Sequence, residues 1–211
     1  MIQHLPLTTI ACIGMILLTM PSNQASEPSV ATFSNDVVPV LTRYGCNAGT
    51  CHGKLAGQNG FRLSLRGFAP NSDFESIVRE SLGRRINLVT PEDSLLIGKA
   101  IGTVPHGGGK RFEAGSPAHQ ILTDWILNGA IGPTAADPVL SKIEVEPALD
   151  TLSIDDSRTL RVTAVYENGE RRDVTWLTQF ASSDAGMLTV TDGGSVTALR
   201  NGEAVVRATF Q

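Results

Sequence analysis

The chain is poor in the residues that usually announce a function. It has three cysteines in 211 residues, and aromatic side chains make up 5%. Beyond residue 20 it holds one methionine, Met187. It lacks a positive surplus: 17 Lys and Arg stand against 21 Asp and Glu, a net charge of -4. That removes the electrostatic footprint of a nucleic-acid binder, and no nucleic-acid partner is expected. No Ser/His/Asp set or carboxylate pair stands out, so the pattern does not point to an enzyme. What the chain has instead is 21 glycines and 11 prolines, the make-up of a loop-rich globular protein with small cores. Its length suits one or two domains.

Residues 1–25 read as a secretory signal peptide. Leu5 to Met20 is mostly apolar but too short to span a bilayer. The run breaks at Pro21, and Asn23-Gln24-Ala25 ends in a small residue suited to cleavage. The N-terminal region departs from the rule, having His4 but no Lys or Arg. Two alternatives are a membrane anchor and a lipoprotein acylated at Cys12. Against the second, Thr9-Ile10-Ala11 lacks the expected leucine and the apolar run continues past the cysteine. Export places the protein in the periplasm, at the cell surface or outside the cell. Cleavage would leave Cys46 and Cys51 as the only thiols.

Those two cysteines lie in Cys46-Asn47-Ala48-Gly49-Thr50-Cys51-His52. Covalent haem attachment uses C-x-x-C-H, and this gap is wider by two residues. The chemistry tolerates the change. Each thiol adds to one porphyrin vinyl group, and the histidine after the second cysteine turns its imidazole onto the iron. The Cys51–His52 adjacency is kept, and Gly49 gives the longer loop freedom to close. The stretch therefore reads as a site for one covalent haem c, with His52 as proximal ligand. The alternatives are a Cys46–Cys51 disulfide, which leaves His52 unexplained, two free buried thiols, and a zinc site of Cys46, Cys51, His52 and a further histidine.

The flanking sequence is patterned for helices. Ser34 is the expected cap of a helix from Asn35 to about Tyr44, with Val37, Val38 and Leu41 on one face. Phe61, Leu63 and Leu65 alternate with Arg62, Ser64 and Arg66, which predicts a half-buried strand with solvated arginines. Ser72-Asp73-Phe74-Glu75 reads as a capping box, opening a helix whose stripe is Phe74, Ile77, Val78 and Leu82. Thr90 and Pro91 open another around Leu95, Leu96 and Ile97. Ser116 and Pro117 begin the last, with Ile121, Leu122, Trp125 and Ile126 inside and Gly129 as its stop. An iron held by His52 has a second axial position. With methionine almost absent, the candidates are His106 and His119. His106 is preferred, because Gly107-Gly108-Gly109 lets the backbone approach its ring.

Taken together, this region resembles the cytochrome c-like domain of the planctomycete-type cytochromes. The resemblance rests on Gly45 to Gly53, Gly60-Phe61-Arg62-Leu63-Ser64-Leu65, Pro91-Glu92-Asp93-Ser94-Leu95-Leu96, Val104-Pro105-His106-Gly107-Gly108-Gly109 and Trp125-Ile126-Leu127-Asn128-Gly129-Ala130. It implies a small, mainly α domain over residues 32–131, haem c binding, electron transfer and a redox partner protein. Many members carry C-x-x-C-H, and a Met-Pro-Pro segment where this chain has Val104-Pro105-His106.

Residues 132–138 read as a linker. Beyond them the apolar period becomes two. Ile143 and Val145 alternate, then Leu152 and Ile154, then Leu160, Val162, Ala164 and Tyr166. Val174 and Trp176 start another strand, and Leu188, Val190, Val196, Val206 and Ala208 continue the pattern. Short strands with turns every 8 to 12 residues predict an all-β sandwich over residues 139–211. Asp173-Val174-Thr175-Trp176, Ser182-Ser183-Asp184, Val196-Thr197-Ala198-Leu199 and Gly202-Glu203-Ala204 resemble the bacterial Ig-like, group 2 domain. That resemblance implies a spacer or adhesion module with a protein or carbohydrate partner. Such domains close with one more strand than is present, so an exposed edge and either a longer exported protein or a truncated reading frame are expected. The competing view of the whole is a cell-surface interaction protein whose cysteine pair is a structural disulfide.

Overall fold

The computed structural model describes residues 31–210, and the signal peptide expected over residues 1–25, with Cys12, lies outside them. No helix among the described residues is long and apolar enough to cross a membrane. The chain enters through a π-helical turn, Phe33–Val37, that runs directly into α1, Val38–Arg43. The cap is Thr32, whose hydroxyl accepts the Asn35 N–H, and not Ser34. Ser34 Oγ instead donates to Asp137 Oδ2 at 3.0 Å. Pro39 falls in the first turn of α1, where its missing N–H costs little.

Three further α-helices follow: α2 Pro70–Phe74, α3 Leu95–Ile101 and α4 Pro117–Leu127. α4 keeps its expected start, because Ser116 Oγ accepts the His119 N–H. Gly129, at φ 93°, lets the chain leave it. Trp125 is 1% exposed and packs its ring 5.4 Å from that of Phe33. It is core, not cavity lining. Its indole N–H donates to the Ile131 carbonyl.

Several local expectations are overturned. Phe61–Leu65 is not a strand: only an isolated bridge, Gln58 to Phe61, forms there, and Leu65 starts a 3-10 turn. The alternation had no partner strand. The Leu63 and Arg66 N–H groups donate to the carbonyls of His52 and Asn47 instead. Arg62 and Arg66 are both exposed, as their solvated reading expected. The 72–75 box caps nothing, since the helix begins earlier at Pro70. Asp73 is buried and accepts from Ser64 N–H and Oγ. Leu82 is fully exposed on a left-handed turn, outside the stripe assigned to it. The Thr90 start splits into a 3-10 turn, Pro91–Asp93, and α3, with Asn87 Oδ1 accepting the Val89 and Thr90 N–H groups.

The second part is antiparallel β structure. The strands are β1 Leu140–Glu146, β2 Ser157–Thr159, β3 Arg161–Tyr166, β4 Arg171–Asp173, β5 Gln179–Ser182, β6 Leu188–Val190, β7 Ser195–Ala198 and β8 Val206–Thr209. They form sheets of order β1-β3-β4, β2-β7-β6 and β5-β8. Leu160, Val162, Ala164 and Tyr166 are all buried, as their period predicts. Leu152 and Ile154 lie in no strand, and Thr175–Leu177 is a 3-10 turn where a strand was expected at Trp176. The architecture is thus mixed helix and antiparallel sheet.

The two parts share one hydrophobic cluster, running from Val37, Leu122 and Trp125 to Val162, Tyr166 and Val174. The contact is made mainly by the π turn and α1. Asp36, buried, pairs with Arg172 of β4. Asn35 Nδ2 donates to the Pro138 carbonyl at 2.8 Å. Arg43 donates to the carbonyls of Trp176 and Asp192. Gln179 Nε2 donates to the Thr42 carbonyl, near the end of the helix that delivers the chain to Cys46.

Candidate functional site

α1 ends at Arg43, and the chain turns at Gly45 (φ 70°) into the cysteine loop. The two extra residues between the cysteines fold into tight turns. The Cys51 and Gly53 N–H groups donate to the Ala48 carbonyl, and His52 N–H donates to the Cys46 carbonyl at 3.0 Å. Asn47 is buried inside the loop, its amide donating to Thr42 Oγ1 at 2.8 Å. The critical glycine is Gly53, not Gly49. A Cβ at Gly53 would sit 2.0 Å from the Asn47 carbonyl oxygen, whereas one at Gly49 meets only Leu65, at 3.8 Å.

Cys46, Cys51, His52 and His106, all singled out by sequence, line one cavity of about 410 Å³. That size is ordinary for a ligand site. Both thiols are free and half-buried, so the structure holds no Cys46–Cys51 disulfide. Burial pushes the Cys46 thiol up to about 11, against the opposing charge of Arg111. Arg111, not foreseen from sequence, donates to Cys51 Sγ at 3.3 Å.

The histidines are arranged as a pair. Their rings are parallel to within 4°, with centroids 6.2 Å apart. His52 Nδ1 lies 2.9 Å from the Phe61 carbonyl oxygen, and His106 Nδ1 lies 2.9 Å from that of Gly109. A carbonyl only accepts, so each Nδ1 carries the proton and each Nε2 keeps its lone pair. Burial, first, holds the His52 pKa below its ordinary value; the Phe61 hydrogen bond opposes, and His106, Arg85 and Arg111 add to the lowering. His119, the other candidate, is elsewhere. It is buried on α4, its Nδ1 accepting from Gly115 N–H and its Nε2 2.8 Å from Glu92 but poorly aligned for a hydrogen bond.

The rest of the wall divides cleanly. Leu41, Leu95, Leu96, Phe61, Phe112 and Leu122 supply apolar surface. Arg84, Arg85, Lys99 and Arg111 supply four cations, and among the described residues no Asp or Glu lines the cavity. In a chain of net charge -4 this is a local inversion of sign. Arg62 and Arg66, read from sequence as solvated, are exposed and do not line the cavity.

These residues fit a haem. Two imidazoles sharing one iron need about 2 Å per metal–nitrogen bond and about 1 Å more from each nitrogen to its ring centre, a total of about 6 Å. The observed centroid separation, 6.2 Å between stacked rings, is of that order. Nδ1 anchored on a carbonyl is the usual support of a ligating histidine. No group of three or more His, Cys, Asp or Glu among the described residues could hold a bare ion.

The chain matches no family model and no curated protein.

Proposed function

We propose that this is an exported electron carrier that binds one haem c. In this reading Cys46 and Cys51 are its thioether attachments, and His52 and His106 its two axial ligands. The observation that carries the reading is the parallel His52–His106 pair, both Nδ1 atoms on carbonyls, in the cavity that holds both free thiols. Haem supplies a one-electron iron couple, and the protein's residues set its terms. Cys46 and Cys51 would hold it by thioethers: each S–H would add across one vinyl group, sulfur bonding one carbon, the hydrogen the other, at the expense of the C=C π bond. A haem held by both His52 and His106 would favour electron transfer over ligand exchange, at a potential below that of a His/Met site. Arg84, Lys99 and Arg111 stand ready for the carboxylates of the porphyrin.

The finer fold reading accompanies this one: a cytochrome c-like domain over residues 32–131 and a bacterial Ig-like module over 139–211. The same reading places the protein in the periplasm or at the cell surface, with a redox partner protein. The test is a reduced pyridine haemochrome spectrum of protein exported from a host able to attach haem c. Covalent haem that is lost in the Cys46→Ala/Cys51→Ala variant is the expected result. No haem in the wild-type protein would overturn the reading.

A further inference from the structure

Arg85 has the most constrained side chain in the cavity wall. It is 4% exposed. Its guanidinium donates to the carbonyls of Ser76 (2.7 Å), Glu80 (3.2 Å) and Gly60 (3.0 Å), and to Ser81 Oγ (3.3 Å). It makes no ion pair with any described carboxylate; the nearby Glu80 carboxylate takes the Ser76 hydroxyl. A buried cation held by three carbonyls and a hydroxyl, with no carboxylate paired to it, is an expensive arrangement. What it holds is also costly. Ser81 and Leu82 stand at φ 54° and 60°, a left-handed conformation that non-glycine residues rarely enter. Such a turn persists only where its surroundings over-determine it.

The same guanidinium lies 4.6 Å from the centre of the Phe61 ring. Phe61 in turn touches His52 twice. Its ring centroid is 4.4 Å from that of the imidazole, and its carbonyl takes the Nδ1 proton. Gly60, whose carbonyl Arg85 also holds, is the residue immediately before it. Arg85 thus grips Phe61 by its ring and by the preceding peptide, and Phe61 fixes the imidazole.

We propose that Arg85 is the positioning residue for His52, acting through Phe61. The inference rests on the haem reading for its functional meaning, but the contact chain stands without it. Lysine keeps the charge and loses the planar fork and its stacking. Arg85→Lys should therefore fail as Arg85→Gln does.

Both variants are to be exported from the haem-attaching host and compared with wild type at equal haem content. The expected result is loss of a substantial part of the low-spin ferric spectrum in both, restored by added imidazole, which fills the position His52 has left. A purely structural role would lower the melting temperature and the yield but leave the spectrum of the surviving holoprotein unchanged, and that outcome overturns the proposal. Phe61→Leu, which keeps the carbonyl and removes the ring, should give part of the same loss. Haem-free protein supplies an independent reading by proton NMR. The His52 Nδ1 proton should be protected from exchange in wild type and lose that protection in both Arg85 variants. Wild type without haem would defeat the haem reading alone, and unchanged protection in the variants would defeat the Arg85 inference alone.

Discussion

Replacing Arg172 by methionine tests whether the helical and β parts fold as one unit. The substitution keeps the apolar stem and removes the guanidinium. Asp36, its side chain 6% exposed, then remains in the interface with no cation beside it. Breaking a buried pair from one side costs about 3–5 kcal/mol. Two features place this case at the lower end. Asp36 still accepts from Thr32 N–H at 2.7 Å and Thr32 Oγ1 at 3.2 Å. Arg172 is also 28% exposed, so part of the attraction is already screened. We expect about 3 kcal/mol, a fall of about 6–12 °C in melting temperature for a chain of this size. Asp36→Asn should cost less, because the freed guanidinium keeps solvent access and Glu170 at 3.9 Å. The double variant should cost less than the sum of the two, by about 1–3 kcal/mol.

The chain carries its own pair of probes. Trp125 sits in the helical core and Trp176 in the β part. Single-tryptophan versions, made by changing the other to phenylalanine, report each part separately in urea. The shared cluster predicts coincident transitions that move together when Arg172 is changed. A shift confined to the Trp176 signal, with the Trp125 transition left in place, would show that the contact is an adhesion between two independent domains and refute the reasoning.

Three further outcomes follow from the site. His106→Met should raise the reduction potential of the holoprotein, as thioether ligation does; equilibrium redox titration reads it, and an unmoved potential would remove His106 from the iron. In haem-free protein Cys46, pushed up to about 11 by burial, should be about a thousandth thiolate at pH 8 and alkylate correspondingly slowly, its rate still rising toward pH 11; rapid labelling mapped to Cys46 by mass spectrometry would contradict the burial. The lowered His52 pKa means that the unfolded chain binds a proton which the folded chain does not. Stability of the haem-free protein should accordingly be full above pH 6.5 and fall as pH drops from there toward the folded-state value. His52→Gln should flatten that part of the profile.

The site was legible in the sequence for a chemical reason. Cys51-His52 is an adjacency that few other roles explain, and His106 stood out because methionine was almost absent. Local capping was also legible at α4, where Ser116 and Pro117 leave the chain few choices. The failures have one cause in common. At Phe61–Arg66 and at 72–75 the pattern was real but its partner was long-range. The Leu63 peptide serves the His52 carbonyl, and Asp73 serves Ser64 instead of a helix end. Arg85 and Arg111 were invisible for the same reason. Nothing local distinguishes a surface arginine from one that reaches Gly60 or Cys51 from 25 or 60 residues away.

The widened motif makes sense once the loop is seen as a folded object. In C-x-x-C-H, closeness in sequence by itself keeps both sulfurs near the histidine. With four residues intervening, something else must do so. Here the Ala48 carbonyl gathers two N–H groups, Asn47 is tied to Thr42 on α1, and the His52 peptide bonds back to Cys46. The geometry at His52 is thereby referred to α1, and α1 is referred to the β part through Asp36, Thr42 and Arg43. On the other side, Arg85 and Phe61 hold the same imidazole from the 60s and 80s loops. The longer cysteine loop keeps its shape because its ends are fixed from two directions. On this argument the β part is more than a spacer, since it supports the helix from which the cysteine loop hangs.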